Sequence, residues 1–446
     1  MGEQPVIILG AGLAGLSAAY HLRERGRASI IYEQDDRPGG HTRSHREAGF
    51  TFDEGPHVSF TKDRYVQALF AKSAGSYREF LATQLNYYRG TWLKHPALAH
   101  LHGLSAEVIE RCLLDLIEAQ RQRPRRAPTH YGEWLRQQCG HFFAEHFAAR
   151  YTRKYWTVEP EQLTTEWVGA RVYAPKLEEV IRGALQPQPQ ALHYIQRCRY
   201  PSAGGYEAYT RLLQQDVEIR TGCRLVTLDV RRRRAVFANG QHVSYHTLIS
   251  SMPLPTLIDT MSDAPSAVKA AAGRLRWTSV LLVNVGVRRR DLSAADWLYV
   301  YDEDIIFSRI SFPHRLAPRN VPKGCGSVQA EIYYSRQKPL PRGNLLQRAL
   351  RDLRRIGMLR EDDELMVAHT RDISFANVLF TRDREASVTT IHRFLHARGI
   401  YPCGRYGEWG YLWSDQAVLS GRRVAEQMSQ EAATPPASKR RVRQEV

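Results

Sequence analysis

Apolar positions near the start of the chain fall into two short unbroken runs on either side of an amphipathic stretch. Val6 to Leu9 is continuously hydrophobic, the mark of a buried strand, and a glycine-rich turn follows it. Leu13 to Arg25 then carries apolar residues at helical spacing until Gly26 stops it, and Ser29 to Glu33 resumes as a second strand. The pattern predicts one βαβ unit. Within residues 104 to 156, "LSAEVIERCLLDLIEAQ" and "YGEWLRQQCGHFFAEHFAARYTRKYW" keep a helical period on both sides of the breaker "RPRRAPT", which predicts a helical insertion. From Val217 to Pro253 polar and apolar residues alternate as short strands, with Asn239-Gly240 as a hairpin turn and Arg231 to Arg234 as a solvated one. Residues 277 to 286 and 325 to 334 predict strands and 343 to 360 a helix. The final helix opens near Asp415, with Ser414 as a natural N-cap, and runs through "AVLSGRRVAEQM".

A chain of 446 residues exceeds one compact unit, so two or three subdomains are expected. Lys and Arg number 63 against 46 Asp and Glu, a formal charge of +17 that calls for an anionic partner: nucleic acid, an acidic membrane surface or a phosphorylated small molecule. Part of that charge lies in "SKRRVRQEV", which follows "EAATPPA" and reads as a basic disordered tail over 431–446. The six cysteines form no CxxC pair and have no His at zinc spacing, so neither a metal site nor a disulfide framework is expected, and a reducing cytoplasm fits them. No run of 18 apolar residues spans a bilayer, although the basic surface allows peripheral membrane contact.

The chemistry begins in "GAGLAG". Gly10, Gly12 and Gly15 sit between a strand and a helix, where they serve a tight turn, backbone approach to a pyrophosphate, and close helix-strand packing. Glu33, at the end of the next strand, is placed to accept hydrogen bonds from a ribose. Strand, glycines, helix, strand and acid together predict a dinucleotide site.

The continuation "DDRPGGHTRSHREAGFTFDEGPHVSF" adds Arg37, Gly39 and Gly40 just after Glu33. These resemble the second flavin signature of the amine oxidase, protoporphyrinogen oxidase and UDP-galactopyranose mutase superfamily, where such residues lie along the FAD pyrophosphate. Val226, in "CRLVTLD", resembles the position whose backbone holds the adenine. The resemblance implies FAD, in an α/β fold: a Rossmann-like FAD-binding domain built from 1–90, 200–262 and 370–430, a helical subdomain over 91–199, and an antiparallel sheet subdomain over 263–369.

Several segments are similar to the mutases in particular. In "FDEGPHVSFTKDRYV", Gly55 permits close backbone approach and Pro56 fixes φ before His57; the resembled loop lies against the flavin ring, while the residues alone also fit a packed structural histidine or an oxidase base. "YTRKYWTVEPEQLTTEWVGARV" resembles the segment whose aromatic residues and arginine face the sugar nucleotide, here Trp167 and Arg171. In "IIFSRISFPHRLAP", Arg309 takes the place of an arginine that binds diphosphate. "GRYGEWGYLWSDQ" resembles the C-terminal motif, with Arg405 and Tyr411 on phosphate and Asp415 and Gln416 beside the flavin.

The resemblance therefore implies an active-site set of His57, Arg309 and Arg405, reduced FAD acting through N5 on the anomeric carbon of a nucleotide sugar, and a diphosphate held by arginines until it returns. NAD(P)H is the candidate reductant. The aromatic-Pro-aromatic-Gln segment that holds uracil in mutases is here "WLKHPALAHLHGL", which keeps Pro96 alone, so sugar and nucleobase stay open, as does the oligomeric state. An FAD-dependent oxidase or desaturase is the alternative, and a non-catalytic binder of nucleic acid the third reading, with no specific nucleic-acid partner expected.

Overall fold

The computed structural model describes residues 4–122, 126–174, 176–188 and 197–433. The last helix occupies Ser414–Ala433, and the remainder of the expected basic tail lies outside the described residues.

The N-terminal pattern folds as read: β1 (Val6–Leu9), α1 (Leu13–Arg23) and β2 (Ser29–Tyr32). Both strands pair in parallel with Val6 opposite Ser29, the geometry that a right-handed crossover helix imposes. They sit in a five-stranded parallel sheet in the order Ile400–Pro402, Leu248–Ser250, β1, β2, Glu218–Arg220. Helix α1 is covered by the last helix. There Gly421 is a packing requirement, because a Cβ on it would come within 2.2 Å of the Ala14 carbonyl oxygen, and Ser17 Oγ donates to Val418 O at 2.6 Å.

A seven-stranded sheet forms the second layer, in the order Leu365–Val378, Trp277–Val287, Gly326–Tyr334, Arg309–Ser311, Trp297–Val300, Gln84–Tyr88, Thr91–Lys94. It is antiparallel except where Trp297–Val300 runs parallel to Gln84–Tyr88. The hairpin at 84–94 and the long strand 365–378 both belong to it, so the expected boundaries at 90 and 370 cut through paired backbone. Hydrogen bonds across the ladders keep these segments with the sheet.

Helices Ala106–Arg121, Tyr131–Cys139 and Arg150–Tyr155 close one side, with a π-helical turn at Ala144–Ala149 leading into the last of them. The widened turn re-aims the following residues. Tyr151 and Tyr155, four positions apart on one helix face, both line the central cavity. The hairpin at Asn239-Gly240 and the turn at 231 to 234 occur as predicted, with Gly240 at φ 82° and Arg233 at φ 53°.

Candidate active site

A cavity of about 1040 Å³ runs from the C-terminal edge of the parallel sheet to the inner face of the seven-stranded sheet. One half is built by the βαβ unit. Gly10 turns at φ 93°, leaving no room for a side chain because Ser251 Oγ stands 2.5 Å from where its Cβ would be. Gly39 and Gly40, at φ 118° and 51°, fold over Gly12, with a Cβ on Gly40 falling 2.9 Å from Gly12 Cα. Gly15 is buried beneath Gly10 and serves packing. Glu33 is 6% exposed, and its carboxylate accepts from Ala11 N at 2.6 Å and Asp35 N at 3.0 Å.

The first turn of α1 carries no acidic residue and no side-chain cap, so its N–H groups remain for an anion. A dinucleotide fits this cradle, which Glu33, Gly12, Gly39 and Gly40 line, with Gly55 and His57 farther along the same cavity.

Two expectations for this half are corrected, those for Arg37 and for the Asp415-Gln416 pair. Arg37 does not line the cavity; the Gly39-Gly40 reversal carries it to the far side, where it pairs with Glu207 at 2.9 Å and donates to Ser44 O, and Arg43 takes the cavity wall instead. Val226, whose backbone was the expected adenine contact, is 46% exposed at a β-bulge, two residues on its strand facing one on the partner, and its neighbours Arg224 and Leu225 line the cavity. Asp415 and Gln416 likewise stand off it. Gln416 Oε1 accepts from Trp413 N at 3.0 Å and so caps the last helix, while Ser414 and Ala417 reach the cavity. Ser414 gives its hydroxyl to a 2.6 Å contact with Tyr206 OH.

Glu54 went unnoticed in the sequence, yet it is the electrostatic hub of the cavity wall. Its carboxylate, 1% exposed, accepts from Arg371 at 2.7 Å, His45 Nε2 at 3.0 Å, Arg43 at 3.1 Å and His41 Nδ1 at 3.2 Å. Burial opposes its charge, but the hydrogen bonds from His41 and His45 and the Arg43 charge hold it ionised well below the usual carboxylate range. The next residues give the cavity Gly55, Pro56 and His57. His57 Nδ1 donates to Gly55 O at 2.9 Å, which leaves Nε2 as an acceptor, and burial pushes the imidazole down to about 4.

The other half is aromatic and cationic. Tyr131, Tyr151, Tyr155, Trp156, Trp167 and Tyr299 line it with the three expected arginines and Tyr411. Arg171 donates to Trp167 O at 3.1 Å and Tyr411 O at 3.0 Å. Arg405 donates to Leu412 O, Ala376 O and Asn377 Oδ1 at 2.9, 3.2 and 3.3 Å. Both guanidiniums lie against the Tyr411 ring, 5.1 and 4.9 Å from its centroid. Arg309 is gripped by Glu331, and Tyr333 OH donates to the same carboxylate at 2.5 Å. Burial works against the Arg309 charge, but Glu331 beside it raises its pKa well above the ordinary value.

The substrate half carries charge that the protein leaves unbalanced. Arg171 and Arg405 donate to backbone carbonyls and the Asn377 amide oxygen, and among the described residues neither has a carboxylate at ion-pair distance. Two such guanidiniums on one cavity wall call for an anionic, acceptor-rich ligand. No group of His, Cys, Asp and Glu suited to a metal occurs among the described residues, where the six cysteines are free and buried and no helix is long and apolar enough to cross a membrane.

Residues 13–429 match the family described as flavin containing amine oxidoreductase. A crystal structure of reduced UDP-galactopyranose mutase superposes with a TM-score of 0.92, at 26% identity over 97% of each chain. An oxidoreductase from Methanosarcina mazei shares the fold, with a TM-score of 0.64 at 15% identity over 95% of this chain and 100% of that one. Among curated proteins, the lycopene-forming phytoene desaturase of Pantoea ananas is 35% identical over 91 residues, 20% of this chain and 18% of that protein. The 4,4'-diapolycopene oxygenase of Methylomonas sp is 37% identical over 82 residues, 18% and 16% of the two chains. The similarity thus spans less than a fifth of these curated relatives.

Proposed function

The chain belongs to the flavin containing amine oxidoreductase family, and from that premise we propose that it is a flavin-dependent nucleotide-sugar mutase that interconverts pyranose and furanose forms. The observation that carries this reading is the pair Arg171 and Arg405, which line the substrate half beside Tyr411 and have no carboxylate against them among the described residues. A diphosphate answers those two charges; a hydrocarbon such as phytoene leaves them without a counter-ion. The extent of the likeness to the mutase, 97% of both chains, supports the same choice.

Reduced FAD, when bound, supplies a nucleophilic centre for the anomeric carbon without net oxidation. The protein's part is to orient and retain. Arg171, Arg405 and Tyr411 hold the anionic leaving group in place, so that it returns without escaping to solvent. The aromatic walls exclude water and offer faces to sugar and base. His57, neutral with Nε2 as acceptor, can take a hydrogen bond but carries no charge at neutral pH.

The test is to reduce the purified flavoprotein with dithionite and follow UDP-galactopyranose, UDP-galactofuranose and other nucleotide sugars by chromatography. Interconversion only with reduced flavin is expected. A flavin spectrum with no interconversion across the panel would remove the reading. The second reading, an FAD-dependent desaturase or oxidase, rests on the similarity to the carotenoid desaturases and predicts oxidation of a substrate coupled to flavin reduction.

A further inference from the structure

We propose that a second, smaller pocket, lined by Arg78, Arg290 and Arg315, takes the phosphate of an anionic phospholipid and seats this side of the molecule on a membrane surface. Such a site stands apart from the chemistry of the central cavity and gives part of the +17 charge a partner of its own.

The pocket measures about 200 Å³, against about 1040 Å³ for the central cavity, which leaves room for a phosphate headgroup but not for a nucleotide. Arg78 comes from the strand Tyr77–Leu81, Arg290 follows the strand Trp277–Val287, Asp296 precedes Trp297–Val300, and Arg315 sits in the short helix Pro313–Leu316. Arg78 Nη1 donates to Arg315 O at 2.7 Å and Leu316 O at 3.0 Å, which sets the two arginines side by side. Arg315 Nε donates to Asp296 Oδ1 at 3.2 Å, and Thr83 N donates to the other oxygen of that carboxylate at 2.8 Å. Arg290 is exposed, and among the described residues its guanidinium has no hydrogen bond or ion pair. Three guanidiniums thus share one carboxylate, and His314, pushed down to about 4 by burial, adds no charge at neutral pH. The surplus is on side chains that water reaches, Arg315 being 35% exposed.

What surrounds the pocket distinguishes a lipid from a free phosphate. Leu81, on its rim, is 71% exposed, and Tyr77, on the same side of the strand, is 42% exposed. Arg197, also exposed, stands opposite Leu81 on the paired strand Arg197–Pro201. Glu79, between Tyr77 and Leu81, is held by both Arg197 and Arg199, at 2.5 and 2.7 Å, so the acid of this face is outnumbered too. An exposed leucine and an aromatic ring beside a cationic pocket suit the interface of an anionic bilayer, where the apolar groups leave water and the guanidiniums stay level with the phosphates. A soluble phosphate ester would leave Leu81 in water.

Flotation of the flavin-loaded full chain with vesicles of mixed phosphatidylglycerol and phosphatidylcholine, at about 0.15 M salt, reads the site. Wild type is expected to bind these vesicles and not vesicles of phosphatidylcholine alone. Arg290→Ala is expected to weaken binding about fivefold and Leu81→Ser about tenfold, whereas Arg232→Ala, the same loss of charge on the exposed turn at 231 to 234, leaves it unchanged. Unchanged flavin content and melting temperature certify each variant. Equal losses from Arg290→Ala and Arg232→Ala, no loss from Arg290→Ala and Leu81→Ser, or no binding by wild type would overturn the proposal. So would calorimetric binding of glycerol 3-phosphate that Arg290→Ala abolishes while vesicle binding stays intact, which assigns the pocket to a soluble phosphate ester.

Discussion

Arg309 and Glu331 stand opposite each other on neighbouring antiparallel strands and close a two-pronged ion pair, Nε to Oε1 at 2.6 Å and Nη2 to Oε2 at 2.8 Å. The arginine chosen by motif as a diphosphate ligand therefore comes with a built-in anion. Among the described residues only Nη1 is left without a protein partner. Glu331→Gln is expected to tighten binding of pyrophosphate or UDP by about tenfold at low ionic strength, since it removes a negative charge from the fork. Titration calorimetry checks this; weaker binding would mean that the carboxylate itself holds the substrate.

Removing the other partner has the opposite character. Arg309→Ala leaves Glu331, 1% exposed, buried without its counter-ion, and a loss of about 3 kcal/mol in stability is expected. Urea unfolding of the flavin-loaded protein measures it, and adding Glu331→Gln to the same chain is expected to restore much of the loss.

His57 gives a pH signature. Its folded value, lowered by burial to about 4, lies below the unfolded value, so as pH falls from 6.5 towards 4 the unfolded chain takes a proton that the folded one refuses. Stability falls through that window by up to ~1.4 kcal/mol per pH unit from this group. His57→Gln is expected to flatten this slope in denaturant titrations between pH 4 and 6.5, while leaving curves above pH 7 parallel to wild type.

Lys154 predicts a second window, on the alkaline side. It is 4% exposed, donates to the Asp302 carbonyl at 2.6 Å, and is pushed down to about 7 by burial first and by Lys338 second. Between pH 7 and 10.5 the unfolded chain holds the proton that the folded one has lost, so stability rises with pH there. Lys154→Met is expected to remove that rise and to stabilise the protein at pH 7 by about 2 kcal/mol. Melting curves across the window decide it.

Gly421 tests the support beneath the cofactor half. It does not line the cavity, yet a Cβ on it would press against Ala14 O at 2.2 Å and Ala18 N at 2.8 Å. Gly421→Ala is expected to separate the last helix from α1, cost about 2–3 kcal/mol, and lower the flavin-to-protein absorbance ratio of the purified protein.

Local features were legible in the sequence because they depend on neighbours in the chain. The βαβ unit, the Asn239-Gly240 hairpin and the strand at 277–287 follow from periodicity and turn chemistry alone. Gly10, Gly12, Gly39, Gly40, Gly55 and His57, singled out by motif, line one cavity with Arg171, Arg309, Arg405 and Tyr411. What stayed hidden arises from register and from reversal of the chain. Glu331 reaches Arg309 only through cross-strand pairing, and Arg371, 317 positions away, joins the 41–45 stretch on Glu54. Arg37 and Arg43 are equally basic on paper, and the fold of Gly39 and Gly40 over Gly12 decides which one meets the cavity. Val226, Asp415 and Gln416 sit one or two positions from the residues that do so. One signal was available: "DEGPH" places an acid directly before the glycine of a loop that lines the cavity.

The packing of α1 against the last helix also has a temporal side. Ser17 and Val418, joined by a hydrogen bond, are 401 positions apart, and the cavity takes lining residues from both Gly10–Ala14 and Gly404–Ala417. At roughly 5–20 residues per second, the second set leaves the ribosome about 20–80 s after the first. Throughout that interval the nucleotide cradle exists without its cover, and cofactor capture becomes one of the last events in the birth of each molecule.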